Sequence, residues 1–419
     1  METRDFFVQK SYKIEDLGEG KDYIFSNELI NLIKNKEVKE YVIQKYELDD
    51  EIKIEFEKID LLLPIVRKYV DQFSLMRVTA TNDNVITSFV NNEYNDVIFE
   101  IQEAETEGVQ VDELYATAIY DSVNMFYDSR KLSQHINYLK KNVRDPNLLF
   151  AINQSWQKYY AEKNKKLKPR VYRILYNETN DEHFLKGINS EQYKEYGVAE
   201  TFVLTILELN RISLIKGTNF KISSVALSES KIEMILRDSN QTYIKELGYI
   251  YPSIAIRNED QGNTSIGFFS SLEFKLAHED EKGKLHFFPN KKVQDIELEK
   301  TFNHTVTAKT FVDSYGGISD FFHDADNFKK DFFFLKEATN PDELRAKIEE
   351  KLVSSRSPFK GVKDLKDLFK REKVGHIDNL STLLKLCERA EMIDMGYDLK
   401  FKLRYLISNV LLYGNNKVD

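Results

Sequence analysis

The spacing of hydrophobic and polar positions changes twice along the N-terminal third of the chain. Residues 1–75 alternate polar and apolar stretches, and helical spacing dominates within the apolar ones. From Leu75 to Ile101 the hydrophobic positions are scattered among Thr, Asn and turn-forming Asn-Asp-Asn, which is typical of strands. Helical spacing returns at Val111–Tyr127. These patterns predict an N-terminal region of mixed helices and strands.

The most regular alternation of apolar and polar residues lies between Phe220 and Leu276. Four short apolar runs are separated there by polar turns, including Ser228-Glu229-Ser230 and the loop at Asn258–Gly262. Short strands joined by such turns predict an antiparallel meander. From about Thr301 the spacing is helical, and Asn340-Pro341-Asp342-Glu343 has the residues of a helix start.

Together these patterns predict an α+β fold with a central antiparallel sheet, an N-terminal mixed region and a C-terminal helical segment. A length of 419 residues suggests two or three units. We place the predicted boundaries at residues 1–150, 151–300 and 301–419.

The amino-acid composition excludes several classes of protein. With 42% hydrophobic residues the chain can bury a sizeable core, so global disorder is excluded. A single cysteine, Cys387, excludes an intramolecular disulfide. The first ten residues have no apolar run of signal-peptide length, and no apolar stretch approaches the roughly 18 residues of a membrane span. We therefore expect a soluble protein of the cytoplasm that does not contact membranes.

The common nucleotide-binding, hydrolase and zinc motifs are absent from the sequence. We accordingly expect no cofactor and no metal site, and no catalytic residue is assigned. The net charge of −9 also disfavours non-specific coating of nucleic acid, because the phosphate backbone repels an acidic surface. Any nucleic-acid binding must use a local basic patch.

One such patch occurs at Trp156–Arg173, where cations and aromatic rings are interleaved and Glu162 is the only acid. Cations neutralise phosphates and aromatic faces stack on bases, so this mixture suits single-stranded nucleic acid. The alternative is a solvated helix end whose aromatics anchor it to the core. The candidate contact residues are Trp156, Lys158, Tyr160, Lys163, Lys165, Lys166, Lys168, Arg170 and Arg173.

A second constellation has the order of a metal-dependent nuclease core. Asp260 precedes Glu273-Phe274-Lys275, so two carboxylates could hold a divalent cation while the lysine polarises the attacking water. Alternating strands with a charged outer face produce the same loose pattern by chance.

The stretch Lys186–Tyr193, together with the later strands and the loop at Asn258–Gly262, resembles a phage/plasmid-like protein family, which is also catalogued as a domain of unknown function. The resemblance covers about residues 170–276 and departs at Ser271–Ala277, where the family usually has a Cys/Thr-x-Asn-Gly element. It implies carriage by a phage, plasmid or integrated element and brings no catalytic residues. Ser190 and Tyr193 are equally consistent with a helix cap and a core tyrosine.

We therefore predict a non-enzymatic mobile-element protein that assists DNA or RNA transactions in the host cytoplasm. A self-assembling structural or cargo protein of the virion, and hence a homo-oligomer, is the first alternative. A metal-dependent nuclease is the second.

Overall fold

The structure is a computed structural model that describes residues 3–413 apart from some short stretches. The stretches left out are 49, 91, 95, 107, 129, 144, 146, 164–167, 245–247, 263–264, 277–283, 289–298 and 323–339.

The strands of the described ranges are β1 Lys10–Lys13, β2 Tyr23–Phe25, β3 Lys53–Glu55, β4 Ser74–Ala80, β5 Val85–Phe89, β6 Val97–Thr106, β7 Val109–Ala118, β8 Arg170–Asn177, β9 Glu182–Asn189, β10 Phe220–Leu227, β11 Lys231–Asp238, β12 Thr242–Ile244, β13 Gly248–Glu259, β14 Ser265–Lys275, β15 Leu285–Phe287 and β16 Glu299–Asn303.

The α-helices are α1 Ser26–Ile30, α2 Lys36–Tyr46, α3 Ile59–Asp71, α4 Ser122–Asp128, α5 Ser133–Asn142, α6 Leu148–Glu162, α7 Val198–Lys216, α8 Ala308–Ser314, α9 Pro341–Val353, α10 Lys363–Phe369, α11 Arg371–Val374, α12 Leu380–Met392 and α13 Tyr397–Tyr413. Short 3-10 helices occupy Thr3–Phe7, Ile14–Asp16, Asn82–Asn84 and Tyr315–Phe321. No helix in these ranges combines the length and hydrophobicity that crossing a membrane requires.

The larger sheet is antiparallel and runs β1-β10-β11-β13-β14-β15, with β12 beside β13 and β16 beside β14. The chain passes through β10, β11, β13 and β14 in spatial order, which confirms the meander predicted for Phe220–Leu276. On one face, residues such as Met234 and Ile254 pack against α7 and the N-terminal segment. Leu272 and Phe274 continue this face toward the C-terminal helices. On the opposite face, Ile235 and Ala255 pack with Phe401 of α13.

Helix α7 occupies the centre of the molecule. Every residue from Val198 to Asn210 is buried, as expected of a helix with neighbours on all sides. The C-terminal helices begin where the sequence indicates: the Asn340 side chain accepts a hydrogen bond from the Asp342 amide (3.0 Å), and Pro341 fills the first turn.

The second sheet is a closed barrel. β4 and β5 follow one another along β6, β6 pairs with β7, β7 runs parallel to β9, β9 pairs with β8, and β8 returns to β4. Counting β4 and β5 as one bent strand, this is a five-stranded Greek-key barrel, the architecture of OB folds. Helices α4, α5 and α6 are inserted between the third and fourth strands of the barrel.

The α+β class and the C-terminal helical segment are confirmed, while two details differ from expectation. The predicted boundary at residue 150 runs through the barrel, because β8 and β9 pair with strands that precede it. Val111–Tyr127, predicted as helical, continues β7 to Ala118 before α4 begins. Residues such as Leu114 and Ala116 face the barrel core, and pairing with β6 outweighs local helical spacing.

Candidate functional site

The helices between β7 and β8, residues 119–169, form a unit that we call the helical insertion. Its last helix, α6, is fastened to the barrel through Asn153, which is buried. The Asn153 amide donates to Val85 O (3.3 Å) and Thr87 Oγ1 (3.0 Å) on β5. Its carbonyl oxygen accepts from Tyr127 (3.2 Å) and Arg130 (3.3 Å). One face of α6 is thereby fixed, and the opposite face is left to solvent.

The predicted aromatic residues form a compact group on α6. The Trp156 and Tyr160 rings stack at 5.0 Å with 25° between their planes, and Tyr159 meets both edge-on at 5.7 Å. Trp156 and Tyr160 are half-buried, whereas Tyr159 is 46% exposed. The group is therefore partly anchored and partly exposed, because the half-buried Trp156 and Tyr160 rings support the Tyr159 ring, which faces solvent.

Charge on the helical insertion is opposite to that of the whole chain. The insertion has ten Lys or Arg and four Asp or Glu residues, a net charge of +6 in a protein of −9. None of its described lysines forms an ion pair with a carboxylate of the described residues. These lysines are Lys131, Lys140, Lys141, Lys158, Lys163 and Lys168, of which all but the half-buried Lys140 are exposed.

Sequence reasoning found only the second half of this patch. Lys140 and Lys141 lie on α5, where Tyr138 is 61% exposed, and Lys131 lies in the turn before that helix. A charge count over the whole interval between the two barrel halves would have revealed it.

The structure places the predicted contact residues in three environments. Lys158, Lys163 and Lys168 are exposed, and Lys165 and Lys166 lie outside the described residues. Arg170 is half-buried, and its guanidinium donates to Ile188 O and Asn189 O (both 3.3 Å) on β9.

Arg173 requires a correction. Its side chain is completely buried in β8, and its Nη2 donates to Asp260 Oδ1 (2.5 Å). It therefore cannot contact a ligand at the surface. Tyr172 and Ile174 point into the barrel core, so alternation along β8 turns Arg173 out of the barrel and toward Asp260 of the larger sheet.

The outer face of β6 and β7, which binds oligonucleotides in many OB folds, is acidic here. Glu100 and Glu113 point outward beside Tyr115, whose hydroxyl donates to Glu113 Oε1 (2.5 Å). The exposed loop between β8 and β9 adds Glu178 and Asp181. Phosphate groups would be repelled from this face and attracted to the helical insertion.

A second group of charged residues is buried where the barrel meets the larger sheet. We call it the junction cluster; its members are Arg173, Lys186, Tyr193, Glu195, Glu229, Asp260 and His304. Asp260, at the end of β13, is its centre. Besides Arg173, the carboxylate accepts from Lys186 Nζ (2.9 Å) and the Tyr193 hydroxyl (2.7 Å).

The outer members of the junction cluster are further partners of its two cations and of Tyr193. Lys186 Nζ also lies 2.7 Å from Glu229 Oε1, and Arg173 Nε lies 3.4 Å from Glu195. The His304 ring stacks on Tyr193 at 5.0 Å with 6° between the planes. Cations from the barrel thus face acids from the larger sheet and the loop before α7.

The protonation states of the junction cluster follow from burial and pairing. Burial by itself would raise the pKa of Asp260, but Arg173 and Lys186 lower it below its ordinary value. Burial, followed by the charge of Asp260, raises the pKa of Tyr193 well above its usual range. Burial lowers the pKa of His304, which is therefore neutral at pH 7. Asp260 is therefore ionised and bound by Arg173, Lys186 and Tyr193.

A cavity of about 980 Å³ opens beside the junction cluster. Arg77, Glu195 and the first turn of α7 line it, and Lys186, Glu229 and Asp260 form its inner wall. Arg77 Nη1 binds both Glu195 oxygens, at 2.8 and 2.6 Å. The charged side chains named here therefore form ion pairs with one another within the wall of the cavity.

The nuclease-like constellation does not assemble. Glu273 lies opposite Tyr251 in the sheet, and Asp260 follows Tyr251 by nine residues, which separates the two carboxylates by roughly 30 Å. Glu273 is instead buried against Arg237 (3.0 Å), and Lys275 is exposed. Among the described residues, no group of three or more His, Cys, Asp or Glu side chains is arranged to hold a metal ion.

The two segments on which the family resemblance depends meet at the junction. Lys186 and Tyr193 come from the first, and Asp260 from the second. Gly262 also approaches the barrel, since its carbonyl accepts from the Asn189 amide (3.2 Å). Its φ of +107° and the proximity of Asn189, 2.6 Å from where a Cβ would lie, both require glycine. The loop at Asn258–Gly262 is therefore a docking element of the sheet as well as a hairpin connection.

Comparisons of the chain with models of protein families, with curated proteins and with solved structures found no match.

Proposed function

We propose that this protein binds single-stranded nucleic acid through the helical insertion and acts as a non-enzymatic accessory factor. The observation that carries the proposal is the net charge of +6 on the insertion in a chain of −9. Its six described lysines form no ion pair with a described carboxylate and lie near exposed aromatic rings. Unpaired cations can exchange their counterions for phosphates, and exposed rings can stack on bases.

The path of the nucleic acid follows from the position of these groups. Tyr138 on α5 and Tyr159 on α6 are the most exposed aromatic rings of the insertion, and lysines flank both. The acidic outer face of β6 and β7 keeps the strand off the barrel wall. With the resemblance to a phage/plasmid-like family, the proposal places the protein in the cytoplasm of a host cell that carries a mobile element.

The test measures affinity for a fluorescein-labelled 30-nucleotide oligo(dT) and for the matching oligo(U) by fluorescence anisotropy, at several salt concentrations. The test variant is Lys158→Glu/Lys163→Glu/Lys168→Glu. We expect its affinity at low salt to fall by about 10- to 100-fold. The slope of log K against log salt should become shallower by about 2, because each phosphate contact on a single strand contributes about 0.7.

The matched control is Lys351→Glu/Lys360→Glu/Lys363→Glu, which reverses three exposed lysines of the C-terminal helical segment. It changes net charge by the same amount and leaves the helical insertion intact, so its affinity should stay close to that of the native protein. Equal affinity of the test variant and the control would refute the proposal.

A further inference from the structure

Strand β7 has a free edge along most of its length. It pairs with β6 from Val109 to Thr117, but with β9 only at Thr117 and Ala118. On that side, Val109–Ala116 has no partner strand among the described residues. Eight residues at about 3.3 Å each leave an edge of about 26 Å on which backbone donors and acceptors are open.

A groove of about 430 Å³ lies beside this edge. Residues Glu113–Thr117 of β7 form one wall, and Asp181–Phe184, where β9 begins, form the other. Thr3 and Arg4 close one side. The groove is thus the gap left where the two parallel strands of the barrel diverge, and it follows the direction of a strand.

The charge of the groove is negative. Glu113, Asp181 and Glu182 are exposed, and none forms an ion pair with a described residue. Arg4, the one Lys or Arg among the described residues that line the groove, is neutralised by Asp96, and its guanidinium lies 3.9 Å above the Tyr94 ring. These carboxylates accept hydrogen bonds from Tyr115, Tyr176 and Asn180, but an incoming cation would find their negative charges without an ion-pair partner on both walls.

We propose that the free edge of β7 binds an extended segment, rich in lysine or arginine, of a partner protein by strand addition. The open backbone supplies the hydrogen bonds, and the acidic walls select cationic side chains at alternate positions. A second copy of the chain is a poorer occupant, because pairing two β7 edges would oppose like charges at Asp112 and Glu113. Nucleic acid is repelled by the same carboxylates, so this surface is distinct from the helical insertion.

The test uses the full chain and a fluorescein-labelled peptide, acetyl-KVKTKVKTK-amide. We expect saturable binding in anisotropy and slower hydrogen exchange of amides in Val109–Ala116. Glu113→Lys/Glu182→Lys should weaken binding by about tenfold or more at low salt. The control Glu343→Lys/Glu350→Lys reverses two exposed acids on α9 and should bind as the native protein does.

Backbone pairing is tested with two further peptides, N-methylated at either the odd or the even amides. In strand addition only one set of amides faces the protein, so one isomer should lose binding and the other retain it. Equal binding of both isomers, equal binding of a peptide with Glu in place of Lys, or no saturation up to 1 mM peptide would overturn the proposal. So would a dimer of the native protein that Glu113→Lys/Glu182→Lys dissociates. Oligonucleotide binding should be unchanged in this double variant, which separates the outcome from that of the proposed function.

Discussion

The helical insertion and the junction cluster are both rich in charged residues, yet they use charge in opposite ways. In the insertion, the described lysines are mostly exposed and form no ion pair with a described carboxylate, and the sequence of the insertion has a net charge of +6. In the junction cluster, Arg173 and Lys186 are buried and oppose the carboxylates of Asp260, Glu195 and Glu229. Exposed charge without an ion-pair partner is available to a ligand, whereas buried charge in ion pairs holds two parts of the fold in register.

The largest expected effect is on stability, and it tests whether the junction cluster holds the fold together. Asp260→Asn keeps the size of the side chain and removes the charge that faces Arg173 and Lys186. Two buried cations then lose their closest common partner, so we expect the free energy of unfolding to fall by about 3–5 kcal/mol. Urea unfolding followed by circular dichroism measures the change.

Two controls sharpen this prediction. Glu55→Gln, in an exposed ion pair with Lys53, should leave the urea midpoint almost unchanged. Asp260→Asn protein that is still folded at low temperature should bind oligonucleotide as the native protein does. A folded variant that has lost binding would show that the junction cluster takes part in recognition and would break the comparison.

An intermediate effect tests the insertion through its aromatic rings. Tyr159→Ala removes the exposed ring and should weaken oligonucleotide binding by about 1–3 kcal/mol, the range for stacking one base. Trp156 is the only tryptophan of the chain and touches Tyr159, so quenching of its fluorescence reports binding at this place. Tyr243→Ala, which removes a 57% exposed ring on the larger sheet, is the control. Similar losses in the two variants would contradict the assigned surface.

The smallest expected effect concerns pH. His286 and His304 are buried, and burial lowers both pKa values in the folded protein. The unfolded chain, with histidine pKa values near 6.5, therefore takes up protons first as pH falls. The free energy of unfolding should decrease below about pH 6.5, by at most about 1.4 kcal/mol per pH unit for each histidine.

Asp260 adds a second, more acidic phase. Its pKa is depressed by folding, so its stabilising contribution is complete above about pH 4 and is lost as pH falls further. Urea midpoints between pH 7 and 3 measure both phases. His304→Gln should flatten the first phase and Asp260→Asn the second; unchanged slopes in these variants would refute the assignment.

The parts of the fold predicted from sequence are those governed by local patterns. The strands between Phe220 and Leu276 are marked by short apolar runs between polar turns, and the start of α9 depends on Asn340 and Pro341, which are adjacent. The junction cluster could not be predicted, because Arg173 and Asp260 are 87 residues apart and neither has a local signature. Charge spacing alone assigned Arg173 to the surface; only its partner strands reveal which way it points.

The pairing of β1 with β10 has a consequence for how the protein is made. Lys10 lies opposite Leu227, so β1 has no place in the larger sheet until β10, 217 residues later by this pair, has been synthesised. Contacts this distant in sequence form slowly, because the loop between them must close first. Removing the first thirteen residues would therefore expose the edge of β10 and favour aggregation during synthesis, which soluble yield from a cell-free translation reaction would report.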